Sequence, residues 1–151
     1  MRGRMAAPVT VWAAGQGRRS SGLTVSSVMI ADGEPAYVLG LIDEDSTFWD
    51  DEPDVFMVNL LAPGHEFMAD AFAGTAPAPG GPFTLATWTD TPWGPRLADA
   101  SGWLGVRRVP GEPKHVGWGL LIQAEIEHIE LGEATSLMHV RGRYSEARKS
   151  G

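Results

Sequence analysis

Cysteine is absent from all 151 residues. Thiol catalysis, disulfides, thiolate zinc sites and cysteine-held iron–sulfur clusters are thereby excluded. Long apolar runs are absent as well, and none approaches the ~20 residues of a membrane span. No apolar stretch follows Arg2 and Arg4, so no signal peptide is expected. Positive charge is scarce: 12 basic residues stand against 19 acidic ones, a net charge of −7. That balance argues against a general nucleic-acid or membrane-surface binder, since both need basic patches. The chain is expected to be soluble and cytoplasmic, with no nucleic-acid and no membrane partner. It contains no GxSxG nucleophile turn and no Walker loop. His65, His115, His128 and His139 form no HxH or HExxH pair, so they read as surface or core imidazoles and no dedicated metal site is expected.

What is abundant is turn-forming residue and apolar side chain. Glycine (19) and proline (11) are too frequent for a helical bundle, while 43% apolar residues are enough for a packed core. The length fits one domain spanning 1–151, with 1–7 and 147–151 expected to be flexible ends. Apolar residues alternate clearly from His115 to Leu131. Trp118, Leu120, Ile122, Ala124 and Ile126 share one parity, and Gly119, Gln123, Glu125 and Glu127 share the other. This is a half-buried strand, and Trp118 reads either as a core residue at its start or as an indole at the mouth of a pocket. After His128 the apolar parity passes to Ile129 and Leu131, which predicts a bulge.

Further strands are expected at Pro8–Ala14, Gly22–Ile30, Ala36–Ile42, Val55–Leu61, Gly102–Val109 and Ser136–Val140. Ala36–Ile42 and Val55–Leu61 are apolar on both faces and read as doubly covered. Gly15-Gln16-Gly17 reads as a hairpin turn. Ser46 can cap a short helix to about Glu52. A second helix follows Pro63, runs from Gly64 to about Ala73 and ends at Gly74 as its C′ residue. The Pro/Gly stretch Thr75–Pro82 is a loop. This order is not a βαβ alternation. It fits a mainly β fold, an antiparallel barrel with a few short peripheral helices.

Two segments could hold a ligand. In Gly22-Leu23-Thr24-Val25-Ser26-Ser27, three hydroxyl residues fall within four positions of an otherwise apolar strand. They are either ordinary edge-strand hydroxyls or a polar wall facing a ligand. Ser46 and Thr47 open a helix directly after a strand, a place where hydroxyls and free N–H groups suit a phosphate. The preceding Asp43, Glu44 and Asp45 oppose one, and a simple N-cap is the alternative. Trp88, Trp93, Trp103 and Trp118 flank loops and strand ends, where a flat ligand or partner chain could pack.

In this order the motifs resemble the flavin reductase-like family of FMN-binding split β-barrels. Pro8-Val-Thr-Val looks like the family's first strand, and Gly22-Leu-Thr-Val-Ser-Ser like its flavin-facing segment. Phe56-Met-Val-Asn-Leu-Leu, Ala69-Asp-Ala-Phe-Ala-Gly and Arg141-Gly-Arg-Tyr are similar to its later motifs. The resemblance implies an antiparallel split β-barrel and a homodimer binding FMN, with FAD or a deazaflavin as alternatives. It also implies NAD(P)H-dependent reduction of flavin, supplied in some members to a partner monooxygenase. By the same resemblance, Thr24, Val25, Ser26 and Ser27 would line the isoalloxazine and ribityl chain, and Ser46 and Thr47 would lie near the phosphate. Many members carry a base before the helix, where this chain has Glu44 and Asp45. Many carry Gly-Asp-His beside the nicotinamide, where this chain has Gly117-Trp118-Gly119, with His115 two residues earlier. Trp118 and His115 are therefore the candidates for the nicotinamide side. The alternative those departures motivate is a non-enzymatic flavin-binding or electron-carrier protein.

Overall fold

The computed structural model describes residues 7–132, 137–140 and 143–146. The first strands are β1 (Ala7–Pro8), β2 (Thr10–Ala14), β3 (Ser21–Val25), β4 (Val28–Ala31) and β5 (Tyr37–Ile42). Then follow helix α1 (Thr47–Asp50), β6 (Val55–Leu60), helix α2 (Glu66–Phe72), β7 (Trp88–Asp90) and β8 (Pro95–Leu97). The last are β9 (Gly102–Arg108), β10 (Lys114–Val116), β11 (Gly119–Leu131), β12 (Leu137–Val140) and β13 (Arg143–Glu146).

The main sheet runs β3-β2-β6-β9-β11-β5-β4, with β10 added on β11. Its pairings are antiparallel. Chain length forces it to curl. β3 and β4 lie at opposite ends of that order, yet only Ser26 and Ser27 join them. Laid flat, seven strands would hold their edges about 29 Å apart. The link from Val25 to Val28 reaches only about 10 Å. The sheet therefore closes on itself, and the Leu41 N–H donates to the Ser27 carbonyl at 3.0 Å, carrying the β4–β5 ladder into the link. Mainly β, antiparallel and barrel-like, with two short helices, is the architecture expected from sequence.

The barrel is filled by Trp12, Phe48, Phe56, Val38, Ile122 and Leu104 with their neighbours. Trp12 stacks on Phe56 at 4.8 Å between ring centroids, and Phe48 of α1 meets Phe56 edge-on at 5.4 Å. A second cluster lies on the other face, where Met68, Ala69 and Phe72 of α2 pack against Val11, Met57 and Leu61. β6 is thus covered on both faces, as its unbroken apolar run predicts. Asn59 within it is fully buried. Its amide donates to the carbonyls of Val11 and Pro95 and accepts from the Leu97 N–H, tying the small β7–β8 hairpin to the barrel.

α2 ends as expected. Gly74 takes φ +78°, the Gly74 N–H donates to the Ala71 carbonyl, and the Thr75 N–H donates to that of Asp70. This is a Schellman closure, which needs a left-handed residue at C′.

Several sequence expectations are corrected. Gly22–Ile30 is not one strand; it breaks at Ser26-Ser27, where the chain crosses the seam. Ala36–Ile42 is not doubly covered, because Leu41 is exposed and Leu39 half-buried. His115–Leu131 is a hairpin rather than one strand, with β10 and β11 joined by Gly117-Trp118. Gly117 has φ +58°, as the first position of a II′ turn requires. Leu120, Ile122 and Ala124 do point inward, but Trp118 leaves the parity and is fully exposed (106%). Its reading as a core residue is overturned. The bulge falls between Ile126 and His128, and beyond it Ile129 and Leu131 face outward. α2 begins at Glu66 rather than Gly64, and α1 is a single turn. Arg141 and Gly142 of the closing motif and the terminal segments 1–6 and 147–151 lie outside the described residues, as does Ser136.

Candidate functional site

The seam gathers most of the singled-out residues at one rim. Ser27 bonds Leu41 at the end of the β4–β5 ladder beside it, and Ile42 leads directly into Asp43 and the turn before α1. On the other side of Ile42, Leu120 is its register partner, and His115 is the partner of Leu120. His115 Nε2 then lies 2.9 Å from a Glu44 carboxylate oxygen, closing the circuit back to the α1 turn. Ser26, Ser27, Ser46, Thr47 and His115 therefore share one end of β5. Trp118 stands at the tip of the same hairpin, beside Gly119, which packs on Leu41.

Thr24 and Val25 turn elsewhere. The Thr24 hydroxyl donates to the Ala69 carbonyl at 2.6 Å, anchoring α2, and Val25 is buried with its carbonyl accepting from Thr10 Oγ1. Their side chains serve the fold. Gly22 in the same segment serves it too, since a Cβ there would come 2.6 Å from the Phe72 ring. Ser46 is the N-cap of α1, its Oγ accepting from the Trp49 N–H at 3.4 Å, while Thr47 is exposed.

The remaining aromatic candidates are committed to packing. Trp103 is buried and donates to the Leu97 carbonyl, with the Arg96 guanidinium 3.9 Å over its ring. Trp88 packs edge-on with Phe72 and Phe83. Trp93 stacks on His128 and donates to Glu127, which also accepts from Arg107. These bonds hold the Glu127 carboxyl below its ordinary value, the Trp93 hydrogen bond contributing most. His65 is buried, with Nδ1 accepting from the Ala62 N–H and Nε2 3.2 Å from Asp99. That fixes the neutral tautomer with its proton on Nε2. His139 is in β12. Among the described residues, no three or more of His, Asp and Glu are grouped to hold a metal.

A separate open cleft of about 660 Å³ lies between 51–54 and 107–113. It contains none of the hydroxyl residues. Its Arg108 is already engaged by the carbonyls of Glu52, Pro53 and Gly111 and by Asp54. The Ser46 cap is the one expected from sequence. What sequence reasoning missed is the engagement of Thr24, whose partner Ala69 lies 45 residues away, where no spacing rule reveals it.

The profile of the family described as flavin reductase like domain matches residues 1–148. The chain belongs to that family. Solved structures share the fold of this flavin reductase-like chain. One is the NADH:FAD oxidoreductase of Streptomyces globisporus, solved with NAD and FAD fragments. It is 20% identical at a TM-score of 0.84, over 97% of this chain and 88% of that one. Another is the flavin reductase component of a bacterial two-component tryptophan halogenase, 18% identical at 0.83, over 99% and 95%. A third is the flavin reductase HpaC with NADP+, 17% identical at 0.79, over 96% and 92%. No curated protein sequence matches the chain. Among the described residues no helix is long and apolar enough to cross a membrane. Membership makes the chain an oxidoreductase of the flavin reductase kind, as its motifs implied.

Proposed function

We propose that the rim at Ser26-Ser27 holds the ring system of a flavin, which NADH or NADPH reduces by hydride transfer. The observation that carries this reading is the seam itself. A family-typical hydroxyl pair links the two edge strands of the curled sheet, at the end of β5 that also carries the β10–β11 hairpin and the α1 turn. The residues present fit the flavin ring: the wall is short, uncharged and rich in hydroxyl and backbone donors. Bound flavin would supply the hydride chemistry, and the protein would supply orientation and donors near the ring. Ser26 and Ser27 would bind it, with Thr24 and Val25 shaping the wall behind them. His115 and Trp118 would border the nicotinamide side. FMN, FAD and a deazaflavin share the features such a wall can recognise.

The chain would act as a homodimer. Met29, Leu39, Leu41, Val116 and Leu121 lie on the outer face of β4, β5, β11 and β10 and are exposed or half-buried. An apolar sheet face beside the site is the natural place for a second copy. The reduced flavin would pass to a partner monooxygenase in the cytoplasm. Nothing in the family match or the fold favours the electron-carrier alternative.

The test is anaerobic mixing of protein, FMN and NADH or NADPH, followed through the visible flavin absorbance. Bleaching that saturates with nucleotide supports the reading, and a rate equal to the protein-free control defeats it.

A further inference from the structure

The turn where the sequence reading puts a phosphate is lined with acid. Asp43, Glu44 and Asp45 lead directly into Ser46. An Asp43 carboxylate oxygen accepts the Asp45 N–H at 2.9 Å, and the Asp43 carbonyl accepts the Ser46 N–H at 3.2 Å. The Asp43 carboxylate is therefore folded back onto the turn, while that of Glu44 reaches His115. The cap is itself engaged, since the Ser46 hydroxyl accepts the Trp49 N–H. α1 is four residues long, too short to build much of a dipole. The imidazole that faces the turn, His115, is already paired with Glu44. A phosphate monoester carries about 1.5–2 negative charges at neutral pH. Placed here it would sit beside three exposed acids at consecutive positions. The ring-side wall at Ser26-Ser27, by contrast, carries no charge. The two halves of the candidate site differ in fit: the flavin ring suits its half, and the phosphate does not suit the other.

We infer that this chain selects flavin by its ring and leaves the phosphate-bearing tail unrecognised, so riboflavin binds at least as tightly as FMN. The inference rests on the flavin reading above.

The experiment titrates the intact protein with riboflavin, FMN and FAD and follows flavin fluorescence at low and at high salt. The expected result is a riboflavin Kd equal to or below that of FMN, with the difference narrowing as salt screens the carboxylates. The doubly neutralised Asp43→Asn, Asp45→Asn variant, which leaves the Glu44–His115 pair and an acceptor for the Asp45 N–H in place, should tighten FMN about tenfold and move riboflavin by less than about twofold, through removal of two nearby like charges. Wild-type FMN binding more tightly than riboflavin would overturn the inference. So would an unchanged FMN-to-riboflavin ratio in the variant. Failure of all three flavins to bind is a distinct outcome, which defeats the flavin reading and this inference with it.

Discussion

His115 Nε2 and the Glu44 carboxylate lie 2.9 Å apart across 71 residues of sequence. Both are exposed, so the pair contributes little to stability, in the range of about 0–1 kcal/mol. Its consequence is positional: it joins the β10–β11 hairpin to the α1 turn at the end of β5 that also carries Ser27.

Trp118 at the end of that hairpin is the first test of the rim. A core tryptophan would lose about 3–5 kcal/mol on truncation. This one is fully exposed, so Trp118→Ala should change stability by no more than about 0.5 kcal/mol. With the indole gone from the proposed nicotinamide side, single-turnover reduction by NAD(P)H should quicken while flavin affinity stays nearly unchanged. Denaturant melts and stopped-flow reduction on the same sample read both quantities.

Ser26→Ala combined with Ser27→Ala should weaken flavin binding by about 0.5–1.5 kcal/mol per lost hydrogen bond and leave the melting midpoint nearly in place. Isothermal titration with riboflavin measures it. Unchanged affinity would remove the seam from the site.

Gly40→Ala should destabilise the barrel by about 1–3 kcal/mol through overpacking. A Cβ there would stand 2.5 Å from the Trp12 ring, in the fully buried centre of the core. Urea unfolding gives the number. The Gly40→Ala, Trp12→Phe pair should recover part of the loss, since the smaller ring makes room.

Acid should release Trp93. Its indole N–H and the Arg107 guanidinium both bond the Glu127 carboxylate and hold its pKa below 4.5. A depressed carboxylate stabilises above its unfolded pKa, and that contribution is lost as pH falls through the folded value. Tryptophan fluorescence should therefore change below pH 4.5, with the change absent in Glu127→Gln.

Period-two patterning made Leu120, Ile122 and Ala124 legible as inward residues, and the double-sided run at 55–61 legible as a central strand. The start of α1 and the end of α2 were legible because Ser46 and Gly74 have local chemistry that needs no tertiary partner. What escaped was set by closure. Nothing local in Gly22–Ile30 says that two residues must bridge opposite sheet edges. The alternation through Trp118 concealed a two-residue turn, because Gly117 at positive φ reverses the chain without breaking the hydrophobic pattern. Within the candidate site, the hydroxyl cluster was visible, but the Thr24 bond to Ala69 across 45 residues was not.

The central claim is that this rim lets a nicotinamide dinucleotide reduce flavin. Anaerobic stopped-flow of the protein with riboflavin or FMN against NADH and NADPH tests it most directly. The account predicts flavin bleaching that saturates with nucleotide, far exceeds the protein-free rate and falls in the Ser26→Ala, Ser27→Ala variant. Bleaching no faster than the protein-free control with either nucleotide would contradict it.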